Sequence, residues 1–147
     1  MGNTRNDIQT MPNVYGEIVL LFDKDFSMHQ VDLLIGASAT ESLRKSETLL
    51  NPITAQHNPG YWIYRTKNFS TYTIKPILDE MQKFILEHSL ERVKQLLSAS
   101  SLILRIRILV QNEDDYPSIR FTPEFLQLCS EWNATIDVDV DNNHPQS

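Results

Sequence analysis

Hydrophobic positions recur with a period of two at both ends of the chain and with helical spacing in between. From Val14 to Phe22, Val14, Ile18, Leu20 and Phe22 fall on one face and Tyr15, Glu17, Val19 and Leu21 on the other, which predicts a central strand. The segment from Asp25 to Gly36 carries a helix-start signature: Ser27 as N-cap, Gln30 three residues on, Phe26 placed to staple against Val31, and an apolar stripe of Val31, Leu34 and Ile35. Gly36 can adopt the left-handed conformation that ends such a helix. Residues 37–60 are rich in Ser, Thr, Asn and Pro and weakly periodic, so a long loop is expected there, with room for a short turn or strand.

Tyr61 to Thr66 follows an Asn-Pro-Gly turn signal and is aromatic and β-branched, which predicts a second strand. From Thr73 to Ser98 the pattern is helical, with Ile77, Met81, Phe84 and Ile85 at core spacing. A break is expected at His88-Ser89, before Val93, Leu96 and Leu97; Pro76 suits the first turn. Leu102 to Val110 alternates again, with Leu102, Leu104, Ile106, Ile108 and Val110 facing one way and Ile103, Arg105, Arg107 and Leu109 the other. Ser118 to Phe121 is read as a short hairpin strand. A helix then starts at Thr122 with Pro123 at its first position and Phe125, Leu128, Cys129 and Trp132 facing inward. The last strand, Ala134 to Val140, places Ile136, Val138 and Val140 on the core face and Asp137 and Asp139 on the outer one. The two helix starts echo each other, since Phe26-Ser27 and Phe121-Thr122 each set an apolar residue before a hydroxyl cap, with Val31 or Leu126 four residues after it.

This order predicts an α+β fold: a two-layer sandwich with an antiparallel or mixed sheet of four to five strands, helices on one face, and a partly ferredoxin-like plan. It is expected to form a single domain over residues 14–140, with residues 1–13 and 141–147 as disordered tails.

Composition narrows the function classes. At 147 residues, with 41% hydrophobic and 22% charged residues, the chain is globular and long enough for one core, and no apolar run approaches the roughly 20 residues of a membrane helix. Residues 1–13 lack an apolar signal region, and Asn6 stands where a myristoylation motif needs Ser or Thr. Cys129 is the single cysteine and can form no internal disulfide, so a cytoplasmic protein with no membrane partner is expected. The net charge is −6 and the thirteen Lys and Arg are scattered, which argues against nucleic acid as a partner.

Three stretches resemble the bacterial family known as domain of unknown function 4279. They are LLIGASATE (Leu33 to Glu41), RKSE (Arg44 to Glu47) ahead of the aromatic strand headed by Tyr61-Trp62, and FTPEFLQLCSEWNATIDVDV (Phe121 to Val140). Ser46 stands where a glycine is more usual in that family, and the aromatic residue that often closes the last strand is absent. The resemblance spans nearly the whole region expected to be ordered and brings no established activity. Members are thought to occur near bacterial toxin systems, so it implies an immunity-like binder.

Candidate chemistry is sparse. Asp137, Asp139 and Asp141 alternate about 7 Å apart on one strand face, but Asn142 occupies the position where a calcium loop needs Gly. Should the third and last strands be neighbours, Arg105 and Arg107 would pair with these aspartates, each pair contributing about 0.2–1 kcal/mol. His29, His57, His88 and His144 show no metal-ligand spacing and are expected to be exposed, and Cys129 lies in an apolar stripe. The chain has four glycines and no glycine-rich phosphate loop.

No catalytic residue, metal or cofactor is therefore expected. Tyr15, Glu17, Arg65, Arg105, Arg107, Asp137 and Asp139 instead make the candidate partner-binding surface, an amphipathic sheet face left open by helices on the other side. A non-catalytic binding domain is the expected function, immunity-type, with a toxin or a second copy of the chain as protein partner. A small-molecule or metal-dependent enzyme using the same face and a homo-oligomeric regulatory module are the alternatives.

Overall fold

The computed structural model of the chain describes residues 11–45, 59–96, 100–111 and 115–142. In chain order the elements are β1 (Asn13–Phe22), α1 (Met28–Ile35), β2 (Glu41–Leu43), β3 (Gly60–Arg65), β4 (Phe69–Ser70), α2 (Lys75–Glu87), α3 (Leu90–Leu96), β5 (Ser100–Val110), α4 (Pro123–Glu131) and β6 (Thr135–Asn142). The strands form one mixed six-stranded sheet in the order β2-β3-β1-β5-β6, with β4 paired to the start of β1. The α+β class is as expected, with more strands than the four to five anticipated.

β1 runs antiparallel to both β3 and β5, and β2 antiparallel to β3. With α1 leading from β1 to β2 and α2–α3 leading from β3 to β5, this is the split β-α-β plan of ferredoxin-like sheets. β6 is an addition to it. It lies parallel to β5, a pairing that requires a crossover connection, and α4 supplies that connection.

Local chemistry accounts for the helix boundaries. At α1, Ser27 has the extended backbone of an N-cap but its side chain makes no capping bond, while Gly36 at φ 85° ends the helix with its N–H on the Asp32 carbonyl. Phe26 meets Phe22 of β1 edge-on at 5.7 Å, and Val31 and Ile35 are buried. Pro76 opens α2, and the expected break falls at His88, whose extended backbone stops the helix. The Ser89 N–H at that break donates to the Ile35 carbonyl, tying the α2–α3 corner to the end of α1. At α4 the Thr122 side chain does cap, accepting from the Phe125 N–H at 3.2 Å. The echo between the two helix starts is incomplete, because Val31 is buried and Leu126 is exposed.

Two expectations are corrected. Residues 118–121 form no hairpin strand; Ser118 makes an isolated bridge to Thr73 instead. The reason is occupancy: β5 has β1 on one side and β6 on the other, so no edge of it remains to be paired. Val140 does not reach the core. Ile136 and Val138 pack against the core at the edge of the sheet, but Val140 is 45% exposed. The expected 37–60 loop contains β2, and residues 46–58 lie outside the described residues. So do residues 97–99, residues 1–10 and 143–147 of the expected tails, His57 and His144; β6 itself pairs with β5 as far as Asn142.

The core fills the space between the helices and one sheet face. Val14, Ile18, Leu20, Phe22, Trp62, Leu104, Ile106 and Ile108 line the sheet side, and Ile77, Met81, Ile85 and Phe125 face them from the helices. Gly16 lets α2 approach β1 closely, since a Cβ there would lie 2.5 Å from Met81 Sδ and 2.7 Å from Ile77 Cγ2. Trp62 is fully buried, and its indole N–H donates to Asp32 Oδ1 at 2.8 Å. No helix among the described residues is long and apolar enough to cross a membrane.

Candidate functional site

Strand alternation sends every second residue to the face away from the helices, and the register aligns those residues in rows across the sheet. One row runs Arg65, Glu17, Arg105, Asp137 across β3, β1, β5 and β6. The next places Tyr15, Arg107 and Asp139 side by side. All seven residues singled out from the sequence therefore come together on one face, drawn from four strands. A neighbouring row of Ile63, Val19 and Ile103 gives the same face an apolar band.

Glu17 organises the charged rows. Its side chain is only 3% exposed, although it points away from the helices, because three arginines enclose it. Oε2 accepts from Arg65 Nε at 3.0 Å and Nη2 at 2.7 Å. Oε1 is sealed from solvent and has no hydrogen-bond partner among the described residues; the Arg105 and Arg107 guanidinium groups stand 3.6 and 3.8 Å away. Towards β6, Arg105 Nε donates to Asp137 Oδ2 at 3.1 Å and Arg107 Nη1 to Asp139 Oδ2 at 3.0 Å, the cross-strand pairs expected if β5 and β6 were neighbours.

Two shifted groups follow from these contacts. The hydrogen bond with Glu17 holds the Arg65 guanidinium above its ordinary range, and the hydrogen bond with Tyr15 does the same for Arg107. The Arg65 guanidinium also lies 5.6 Å from the centre of the Tyr15 ring, within cation–π distance. Tyr15, Arg107, Leu109, Asp139, Val140 and Asp141 surround a cavity of about 290 Å³ at the end of the charged rows.

Sequence reasoning missed Glu41 and Tyr61. Glu41, on β2, accepts from Arg65 Nη2 at 3.3 Å and from the Tyr61 hydroxyl at 3.2 Å. Burial first, and Glu41 second, push the Tyr61 hydroxyl up from its ordinary value. The only signal available was alternation around Thr40 to Leu43, too short to separate a strand from a loop. His88 is also not exposed as expected; it is half-buried and stacked on Phe84 at 4.0 Å, while His29 is exposed. Cys129 is buried on the inner face of α4, and burial pushes its thiol up. Among the described residues, no group of three or more His, Cys, Asp or Glu is placed to hold a metal ion.

Fold and site together define an α+β sandwich that commits one sheet face to its core and leaves on the other an ordered field of ion pairs. The chain belongs to the family described as domain of unknown function (DUF4279), which matches residues 15–143. No curated protein and no solved structure matches the chain.

Proposed function

We propose that the chain is a non-catalytic binding domain whose open sheet face receives a protein partner, with the immunity-type role, masking of a toxin, as the particular form. The observation that carries this reading is the gathering of Tyr15, Glu17, Arg65, Arg105, Arg107, Asp137 and Asp139 into two aligned rows on the face away from the helices. Arginine and tyrosine are the residue types that concentrate binding energy at protein interfaces, and here they are pre-positioned by ion pairs, which lowers the cost of ordering them on binding. The enclosure of Glu17 by three arginines supports binding over proton transfer, since a general base must come within hydrogen-bond reach of its substrate and the Glu17 carboxylate is sealed from solvent.

The test is retention of the natural partner. The protein and its Tyr15→Ala/Arg107→Ala variant are used to co-purify partners from the source cell, and the partner recovered is then titrated by calorimetry. Loss of two such anchors should weaken binding by about 30-fold or more, the range expected for hot-spot residues. A control at Lys83, on the exposed side of α2, should leave affinity unchanged. Equal affinity of the double variant and the parent would refute the reading. For the immunity form, cells lacking the protein should lose protection in mixed culture, and unimpaired survival would remove it.

A further inference from the structure

We propose that the free edge of β6 receives an extended segment of the partner as an added strand, and that this segment alternates basic and aliphatic residues. The inference rests on the protein-binding reading above and adds to it the element that docks and the chemistry it selects.

β6 ends the sheet. β5 occupies one of its sides from Thr135 to Asn142, and among the described residues no strand pairs with the other. The backbone groups that point to that side form a template for an incoming strand. Proteins commonly blunt such edges with short strands, prolines or bulges. The opposite edge, β2, is three residues long, whereas β6 is eight residues long, contains no proline and keeps an unbroken register with β5.

Its one guard is charge. Asp137, Asp139 and Asp141 line the open-face side of the strand, so a second β6 laid against the first would set aspartates against aspartates, and like charges across strands are destabilising. A basic strand meets no such barrier, and the chain already contains the complement. β5 reads Leu104-Arg105-Ile106-Arg107-Ile108, with Arg105 facing Asp137 and Arg107 facing Asp139.

The outer side of β6 offers the same pattern to a second strand. Both ion pairs use Oδ2 of the aspartate, leaving Oδ1 of each without a described donor, and Asp141 has no ion pair among the described residues. On the helix side the same strand presents Val140, 45% exposed, beside the half-buried Val138 and Ile136. Since the side-chain period of a strand is two, a partner satisfying both sides must alternate: basic residues over the aspartates, aliphatic residues beside the valines. The cavity at Tyr15, Asp139 and Asp141 leaves room for one long basic side chain.

The probe is a fluorescent, end-capped peptide, Gly-Val-Lys-Val-Lys-Val-Lys-Gly, followed by anisotropy and by amide hydrogen exchange of the full chain. Saturable binding is expected, with slowed exchange concentrated in β6. Binding should weaken at least ten-fold in Asp141→Lys, whose fold is checked by its thermal unfolding, and to a similar degree when glutamate replaces lysine in the peptide. A fully N-methylated peptide keeps the charges but cannot join a ladder, and its binding should be lost.

Equal binding of the N-methylated peptide would show simple charge attraction and overturn strand addition, as would absent binding or unchanged exchange in β6. A dimer with β6 amides already protected before peptide is added would assign the edge to a second copy and overturn it too. The two readings fail separately. A natural partner that is sensitive to Tyr15→Ala/Arg107→Ala but indifferent to Asp141→Lys would keep the sheet-face function and discard the added strand.

Discussion

Glu17 carries an electrostatic load out of proportion to its place on a face that the helices leave uncovered. Its carboxylate is buried by the guanidinium groups it attracts, so its removal leaves Arg65, Arg105 and Arg107 facing one another. Glu17→Gln keeps the shape and abolishes the charge. A destabilisation of about 1–3 kcal/mol is expected in urea unfolding, the cost of converting charge-assisted bonds to neutral ones near partly exposed cations. The Arg107–Asp139 pair should behave differently, because both side chains are 40% exposed or more. Exposed pairs of this kind couple by less than about 1 kcal/mol and are screened by salt. The types and faces of these residues were legible from alternation alone. The enclosure of Glu17 was not, because it depends on which strands flank β1.

At the scale of elements, two helix starts that look alike in the sequence part company in the structure. Both Ser27 and Thr122 have the extended backbone of an N-cap, but only Thr122 accepts a hydrogen bond, from the Phe125 N–H. Thr122→Ala is therefore expected to cost about 1 kcal/mol, while Ser27→Ala should leave the midpoint of chemical unfolding almost unmoved. A comparable loss in both would show that the Ser27 hydroxyl caps α1 in solution. The helices and the long strands were readable because their periodicities extend over many residues. β2 and β4 were not, because three and two residues give no period to detect and their pairing comes entirely from β3 and β1. The misread strand at 118–121 has another origin: local β propensity cannot make a hairpin with β5 when β1 and β6 already take both its sides.

Across the whole molecule, one sheet divides a closed core from an open charged face, and Cys129 lies on the closed side. Burial raises its thiol, so reaction with a disulfide reagent at neutral pH requires the core to open. Labelling of the native protein should be slow and should accelerate in Glu17→Gln by about ten-fold for each 1.4 kcal/mol of lost stability. Identical rates in parent and variant would instead locate the opening in α4 alone. The pattern of apolar and polar residues was enough, by itself, to determine the α+β class, the helices with their break at His88, and the side of each long strand on which Arg and Asp stand, because these depend on spacing along the chain. Only the tertiary structure decided that β1 lies between β3 and β5, that Glu41 joins the charged rows, and that Val140 is left at an open edge. Those outcomes depend on which strands become neighbours, and neighbours in a sheet are chosen by packing between segments far apart in the chain, on which local spacing carries no information.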